Sequence, residues 1–343
     1  MRYLILCLAV VITAGLHAQS NSPDASQRWQ ALQERRIPAL AKKPARTTPK
    51  TAQEQAQERQ ELVAHYSSLA DAAKSFRESF PEDANGKAAL VIEADSLLKA
   101  AFLGDNTRAS YMDTLVNDVL KDTTISSQAR YGIAACSDHL LRKKNVRSSG
   151  DARIADEASA RYLIKEFPAE EGGYLKLLNN ADASGDRARI DSAVQEIEAS
   201  PAPFAAKGAA QVVAKRYALI GKSLADVANT ALGRGNFFEV ARGRKTLLYT
   251  WASWSPGSLD FAKDVLSKVG KEVLVIGYNL DRDVEAAKEV ARKEKLPGTH
   301  YYDNAGLGSF LTLLLSFNSA PLVYMTDQNG VITDVAAQRR DIL

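Results

Sequence analysis

At 343 residues, 45% hydrophobic and 25% charged, the chain is long enough for about two domains, each with a sizeable core. A formal charge of +3 and a pI near 8.6 reflect a slight excess of Lys and Arg with no concentrated basic face, so no nucleic-acid partner is implied.

Residues 1–18 contain Arg2, the apolar run Tyr3 to Thr13, and then Ala14-Gly15-Leu16-His17-Ala18. A short basic start, an apolar core and small residues before a cleavage point predict a secretory signal cut after Ala18, and hence a periplasmic or secreted protein. That core is too short to span a bilayer, and no other run reaches about 18 apolar residues, so no transmembrane segment is expected. Cys7 follows Leu6 inside the apolar core and does not suit a lipid anchor. Its removal with the signal leaves Cys136 as the sole cysteine, which excludes an internal disulfide. Within Tyr131-Gly132-Ile133-Ala134-Ala135-Cys136 this residue reads as a small buried hydrophobe on a helix rather than a reactive thiol.

Residues 19–50 are rich in Ser, Pro and Thr and carry Arg35, Arg36, Lys42, Lys43, Arg46 and Lys50. They predict a mostly disordered linker with a short helix around Trp29 to Arg36 and, at most, weak association with an anionic surface.

From 51 to 215 the apolar residues recur at helical spacing. Helices are predicted at Thr51–Phe80, Ala84–Phe102, Thr107–Lys121, Ser126–Lys143, Asp151–Phe167, Ala169–Ala183, Asp186–Ser200 and Pro203–Ile220. Ser126, Asp151 and Asp186 are placed as N-caps, and Pro81, Pro168 and Pro201 follow helix ends. Phe80-Pro81 precedes Ala94-Asp95 by the offset at which Phe167-Pro168 precedes Ala181-Asp182, an echo that weakly resembles tetratricopeptide-like repeats. A stacked solenoid and an ordinary bundle both remain open.

From 216 to 343 strands and helices alternate, which predicts an α/β layer. Gly221–Leu224, Ala231–Val240 and Thr246–Trp251 read as short strands, Ser255 to about Val269 as a helix, and Val273–Asn279 as a buried strand. Asp283–Lys295 and Phe310–Phe317 read as helices, and Gly298-Thr299-His300-Tyr301 as a loop. The last hairpin runs from Pro321 to Asp334 and turns at Asn329-Gly330, which suits a turn needing positive φ.

Four features occur here in order: Gly221-Lys222 before a hairpin, Trp251-Ala252-Ser253-Trp254 at a strand end, Val275 to Asp281 with its helix, and Ala320-Pro321 before Asp327-x-Asn329-Gly330. In these, residues 216–343 resemble the TlpA-like thiol-disulfide oxidoreductases of the thioredoxin superfamily. The resemblance implies a thioredoxin-like domain, a cis proline at Pro321, and a redox pair at positions that read Ser255 and Ser258. Serine cannot form the disulfide, so the dithiol cycle loses its atoms. The acidic or polar residue that the family uses for proton transfer corresponds to Tyr249. The family's closing helix is shortened or absent in a chain ending at Leu343, which would make one sheet edge a docking surface.

A serine nucleophile would need a base, and only His300 belongs to this half. Ser255 as N-cap, Pro256 at the first helical position and Asp260 in the first turn explain the stretch without chemistry. Asp281-Arg282-Asp283 reads as a solvated turn and helix start. No phosphate loop or metal-ligand spacing occurs, so no cofactor or metal is expected. Trp251 reads as core, and Trp254, Ser255, Ala320 and Pro321 as a peptide-binding groove. The leading expectation is an exported, redox-inactive binder of an envelope protein or peptide. Two alternatives stand beside it: an oxidoreductase working through Cys136 or partner thiols, and a structural envelope scaffold.

Overall fold

The computed structural model describes residues 22–38, 51–145, 149–232 and 237–336. The expected signal and residues 19–21 and 39–50 of the expected linker lie outside the described residues. Among the described residues no helix is long and apolar enough to cross a membrane. The chain forms two compact units, Met1–Gly173 and Tyr174–Leu343.

The first unit is all-helical. Within the expected disordered linker, α1 (Pro23–Arg35) is a formed helix: Ser22 Oγ caps it by accepting from Ala25 N at 3.1 Å. Its apolar face, Trp29 and Leu32, packs with Phe76, Ala88 and Ile92. The short helix expected around Trp29 to Arg36 is thus present and begins earlier, at Pro23, because the Ser22 cap and this burial support its first turns. Helix α2 (Ala52–Ser79) opens with a capping box between Thr51 and Glu54. Helix α3 (Gly86–Phe102) is buried along most of its length and is flanked by α4 (Ala109–Lys121) and α5 (Ser127–Asn145), which share one core with it. Glu93 of α3 is buried but fully engaged, accepting from Arg77 Nε at 3.0 Å and from Tyr111 Oη at 2.6 Å. Cys136 of α5 is half-buried against that core and in no disulfide. Helix α6 (Ser149–Glu166) begins two residues before Asp151, which therefore lies inside it rather than capping it. Ser126 and Asp186 do cap, accepting from Ala129 N and Ala188 N.

Helix α7 (Glu171–Asp182) spans the division between the units. In the second unit, α8 (Arg187–Ala199) and α9 (Phe204–Tyr217) precede the sheet. The expected domain boundary at 215/216 falls inside α9. A buried ion pair joins α7 to α9: Arg216 donates through Nη2 to Asp182, and Tyr217 Oη donates to the same carboxylate at 3.0 Å. Arg216 Nη1 continues to Asn318 Oδ1 at 3.3 Å.

The sheet is built of β1 (Thr246–Trp251), β2 (Leu274–Asn279), β3 (Thr299–Tyr302), β4 (Val323–Thr326) and β5 (Ile332–Asp334), in the order β3-β2-β1-β4-β5. β1 is parallel to β2, β2 to β3, and β4 is antiparallel to both its neighbours. Alternation along β1 sends Leu247, Tyr249 and Trp251 to one face, where α11 (Pro256–Asp264) and α12 (Val284–Lys293) cover them. With the cis Ala320–Pro321 bond just before β4, this order makes the C-terminal fold thioredoxin-like, behind an N-terminal helical array.

Three local expectations are corrected. The described parts of 231–240 are not strand: 231–232 end α10 (Leu224–Leu232), and 237–240 belong to a 3-10 turn, Phe237–Ala241. Leu224, Ala225 and Ala228 supply a buried helical face, and Ser223 Oγ accepts from Asp226 N. The loop at 299–301 is β3, too short for alternation to reveal. The helix after Ser255 stops at Asp264, with a 3-10 turn at Leu266–Lys268 and the 3-10 turn Gly306–Gly308 leading to α13 (Phe310–Leu314) later in the chain.

The expected strand at Gly221–Leu224 reduces to one bridging residue: Ser223 lies antiparallel to Val331, Gly221 is at φ 86° and Leu224 already opens α10. The segment still bonds the last hairpin, with Gly221 N to Ile332 O at 2.8 Å, Ile332 N to Lys222 O at 2.9 Å and Leu224 N to Gly330 O at 3.0 Å. The edge is therefore covered at Ile332. The turn before β5 has Gly330 at φ 77° and is braced by Asp327, whose carboxylate accepts from Asn329 N and Val331 N and is held below its ordinary pKa by those bonds.

Candidate functional site

The site lies where β1 ends. Trp251 and Ala252 are fully buried, then the chain surfaces and Trp254 is 59% exposed. Asp281 holds this turn. It is buried at the end of β2 and accepts from Ser253 N at 2.9 Å, Ser253 Oγ at 2.7 Å and Asn279 Nδ2 at 2.7 Å. The reading of Asp281 as part of a solvated turn is thus corrected, because three donors replace the water it gives up. Asp283 is an N-cap, accepting from Ala286 N at 3.0 Å.

Ser255 occupies the residue before α11 but makes no side-chain cap bond. Its hydroxyl instead donates across to Ala320 O at 2.9 Å, the carbonyl preceding the cis proline. Ser258 is completely buried, accepts from Ala252 N at 3.2 Å and donates to Ser255 O at 2.7 Å. Asp260 falls beyond the first turn of α11. Pro256 is at the start of the helix as expected.

The cis-proline loop is positioned by a residue that sequence reasoning passed over. Thr250 N donates to Leu322 O at 2.9 Å, Leu322 N returns a bond to Thr250 Oγ1 at 2.8 Å, and Thr250 Oγ1 donates to Ser319 O at 2.7 Å. Only its place one residue before Trp251 could have signalled it. Thr250→Val keeps the shape but strips the donor from Ser319 O and the acceptor from the buried Leu322 N. The expected loss is about 2–3 kcal/mol, read by denaturant unfolding. A change below about 0.5 kcal/mol would mean that the loop is held elsewhere.

Pro321 is exposed and faces an open groove lined by Gly257, Asp260, Phe261, Lys263 and Asp264 of α11 and by Val265, its C-cap. The structure thus brings Ser255, Ala320 and Pro321 together, while Trp254 stands at the turn beside them.

Beneath the turn the surroundings are apolar and aromatic. Tyr249 is fully buried, donates to Pro297 O at 3.3 Å, and burial raises its phenol above the ordinary value, so it stays neutral. His300, on β3, lies edge-on to Trp251 with ring centroids 5.4 Å apart, and its Nε2 contacts Leu296 O at 3.3 Å. The hydroxyls of Ser255 and Ser258 are bonded to backbone groups, so no serine–histidine pair is assembled. Trp251 Nε1 and His300 Nδ1 are both buried without a hydrogen bond. They meet over Gly277, where an added Cβ would come within 2.4 Å of His300 Nδ1 and 3.1 Å of Trp251 Nε1.

Burial lowers the His300 pKa from its ordinary 6.5. The unfolded chain therefore takes up the proton first as the pH falls. The stability conferred by the neutral ring is present above about pH 6.5 and is lost on acidification toward the lower folded-state value. Unfolding free energies at pH 7.5 and 5.5 should show His300→Gln flattening this dependence by up to one proton. An unchanged slope would place the acid sensitivity elsewhere.

No family model matches the chain, and no curated protein does. Among solved structures, it is similar to a thioredoxin-like protein from Parabacteroides distasonis, at 19% identity, covering 29% of this chain and 76% of that one, with a TM-score of 0.25. It is also similar to a thiol-disulfide oxidoreductase from Bacteroides fragilis, at 27% identity, covering 28% of this chain and 74% of that one, with a TM-score of 0.26.

Proposed function

We propose that this is an exported protein whose thioredoxin-like unit no longer performs dithiol chemistry and instead binds a polypeptide of the cell envelope at the groove of Trp254, Ser255, Ala320 and Pro321. The observation that carries this reading is the Ser255 Oγ to Ala320 O bond at 2.9 Å. It ties the start of α11 to the cis-proline loop with a hydroxyl at a position where the resemblance implies sulfur. Ser258 is likewise committed to backbone partners. Tyr249 offers no carboxylate, and after Cys136 the sequence contains no cysteine. What is retained is the surface: an exposed proline, an exposed tryptophan and an open groove suited to an extended chain.

Insulin reduction by dithiothreitol tests the negative half, with turnover no greater than that of Ser255→Ala expected. For the positive half, the full chain is titrated with a fluorescent, carbamidomethylated unfolded polypeptide. Trp254→Ala and Pro321→Ala should each weaken binding about tenfold. Binding that ignores both substitutions would move recognition off the groove.

A further inference from the structure

The short helix α13 exposes apolar residues as well as burying them. Ser309, its N-cap, and Thr312 are 3% and 1% exposed, and their hydroxyls bond Tyr278 Oη at 2.7 and 3.1 Å, while Leu311 and Leu315 are buried beside them. Phe310 and Leu313 of the helix and Leu307 of the preceding 3-10 turn, three residues apart, are 62%, 65% and 44% exposed. Three large apolar side chains exposed in one row form a patch of the kind found at interaction surfaces.

Topology places this stripe beside the groove. The parallel strands β1, β2 and β3 end on one side of the sheet, and the antiparallel β4 begins there, so 303–322 and Trp254 share that end. Leu280 N bonds Trp251 O at 2.9 Å, and a Cβ on Gly306 would lie 2.9 Å from Leu280 O, which links the turns in a continuous rim.

Two observations select the occupant. The exposed parts of Trp254, Leu307, Phe310 and Leu313 sum to roughly 450 Å², short of the about 800 Å² per partner of a stable dimer, but ample for a short segment. No charged residue occurs between Asp303 and Asp327 in a chain that is 25% charged, so the stripe itself offers no charge, and Arg282, whose Cγ would lie 3.7 Å from a Cβ on Gly306, is a cation at its margin. We infer that the α13 stripe and Trp254 bind the apolar side chains of a short partner polypeptide segment, selecting it by hydrophobicity rather than charge. This inference rests on the groove being a polypeptide site and names the segment it prefers.

The test uses the full chain and two labelled 14-residue peptides of equal charge, one alternating Leu and Phe with Ser, the other with Asn replacing Leu and Phe. The apolar peptide should bind at least about tenfold more tightly, and Phe310→Ser/Leu313→Ser should remove that preference. Both substitutions are at exposed positions, and unchanged circular dichroism and melting would confirm folding. If the double variant binds the apolar peptide as the parent does while Trp254→Ala does not, the stripe is overturned and the groove reading survives. Failure of the parent to bind either peptide overturns both. A concentration-dependent dimer by sedimentation, abolished by the double variant, would assign the stripe to a second copy and overturn the inference.

Discussion

Asp182→Ala is expected to destabilise the C-terminal unit by about 3–5 kcal/mol, because it leaves a buried guanidinium without its counter-charge. Arg216 is almost wholly inaccessible, its Nε already has no partner, and its remaining bond to Asn318 Oδ1 is neutral and 3.3 Å long. Tyr217 Oη loses its acceptor in the same change. Replacing both charges, as Asp182→Leu with Arg216→Met, should restore most of the loss, since desolvating an ion pair offsets much of its attraction. Denaturant unfolding of the two variants separates the cases, and a loss below about 1 kcal/mol for Asp182→Ala would show that Arg216 finds water. Since Asn318 lies in the cis-proline loop, peptide affinity should fall in the single variant and recover only partly in the double one.

Ser255→Cys with Ser258→Cys is expected to raise thiol-disulfide activity above that of the parent. The two residues sit three apart at the start of α11, where the positive end of the helix dipole favours a thiolate. Oxidation would form one S–S bond and pass two electrons and two protons to oxidised glutathione, and insulin reduction should rise to at least about tenfold above background. The gain should stay modest, because Tyr249 supplies no proton-transfer group. Loss of the Ser255 to Ala320 bond should cost about 1 kcal/mol. Two thiols that remain reduced in oxidised glutathione would argue against the correspondence of these positions with a dithiol pair.

Much of the architecture was legible because it follows from periodicity. The helices from α2 to α9 came within a few residues of their observed ends, since apolar spacing and capping residues act locally. β1, β2 and the final hairpin announced themselves as buried apolar runs or by Asn329-Gly330. Legibility failed where long-range contacts decide. The helix around Trp29 was expected, but its start at Pro23 was not, because the docking of Trp29 and Leu32 on Phe76 is a long-range contact. Residues 231–232 were placed in a strand but end α10, whose buried face at Leu224, Ala225 and Ala228 is too short to stand out as a helical period. Pro321 was found by its place in a motif, whereas Thr250 and Asp281, which hold the two site loops, could not be found, because their value lies in partners 28 to 72 residues away. Ser255 was placed at the right position with the wrong bond: a cap is the local choice, and the carbonyl of Ala320 is available only once the sheet has formed.

The pairing of Gly221–Leu224 along β5 has a further consequence for fragments of this protein. A sheet-bearing piece that begins after Leu224 would lack those four residues and leave the N–H and C=O groups of Ile332 in β5 without the partners they have here. Such an edge is a template for strand addition from neighbouring molecules, so trimming the helices too closely would create a polymerising species from a chain that keeps this side sealed. The safe cut lies before Gly221, and the link between helices and sheet serves as the selvedge of the fabric.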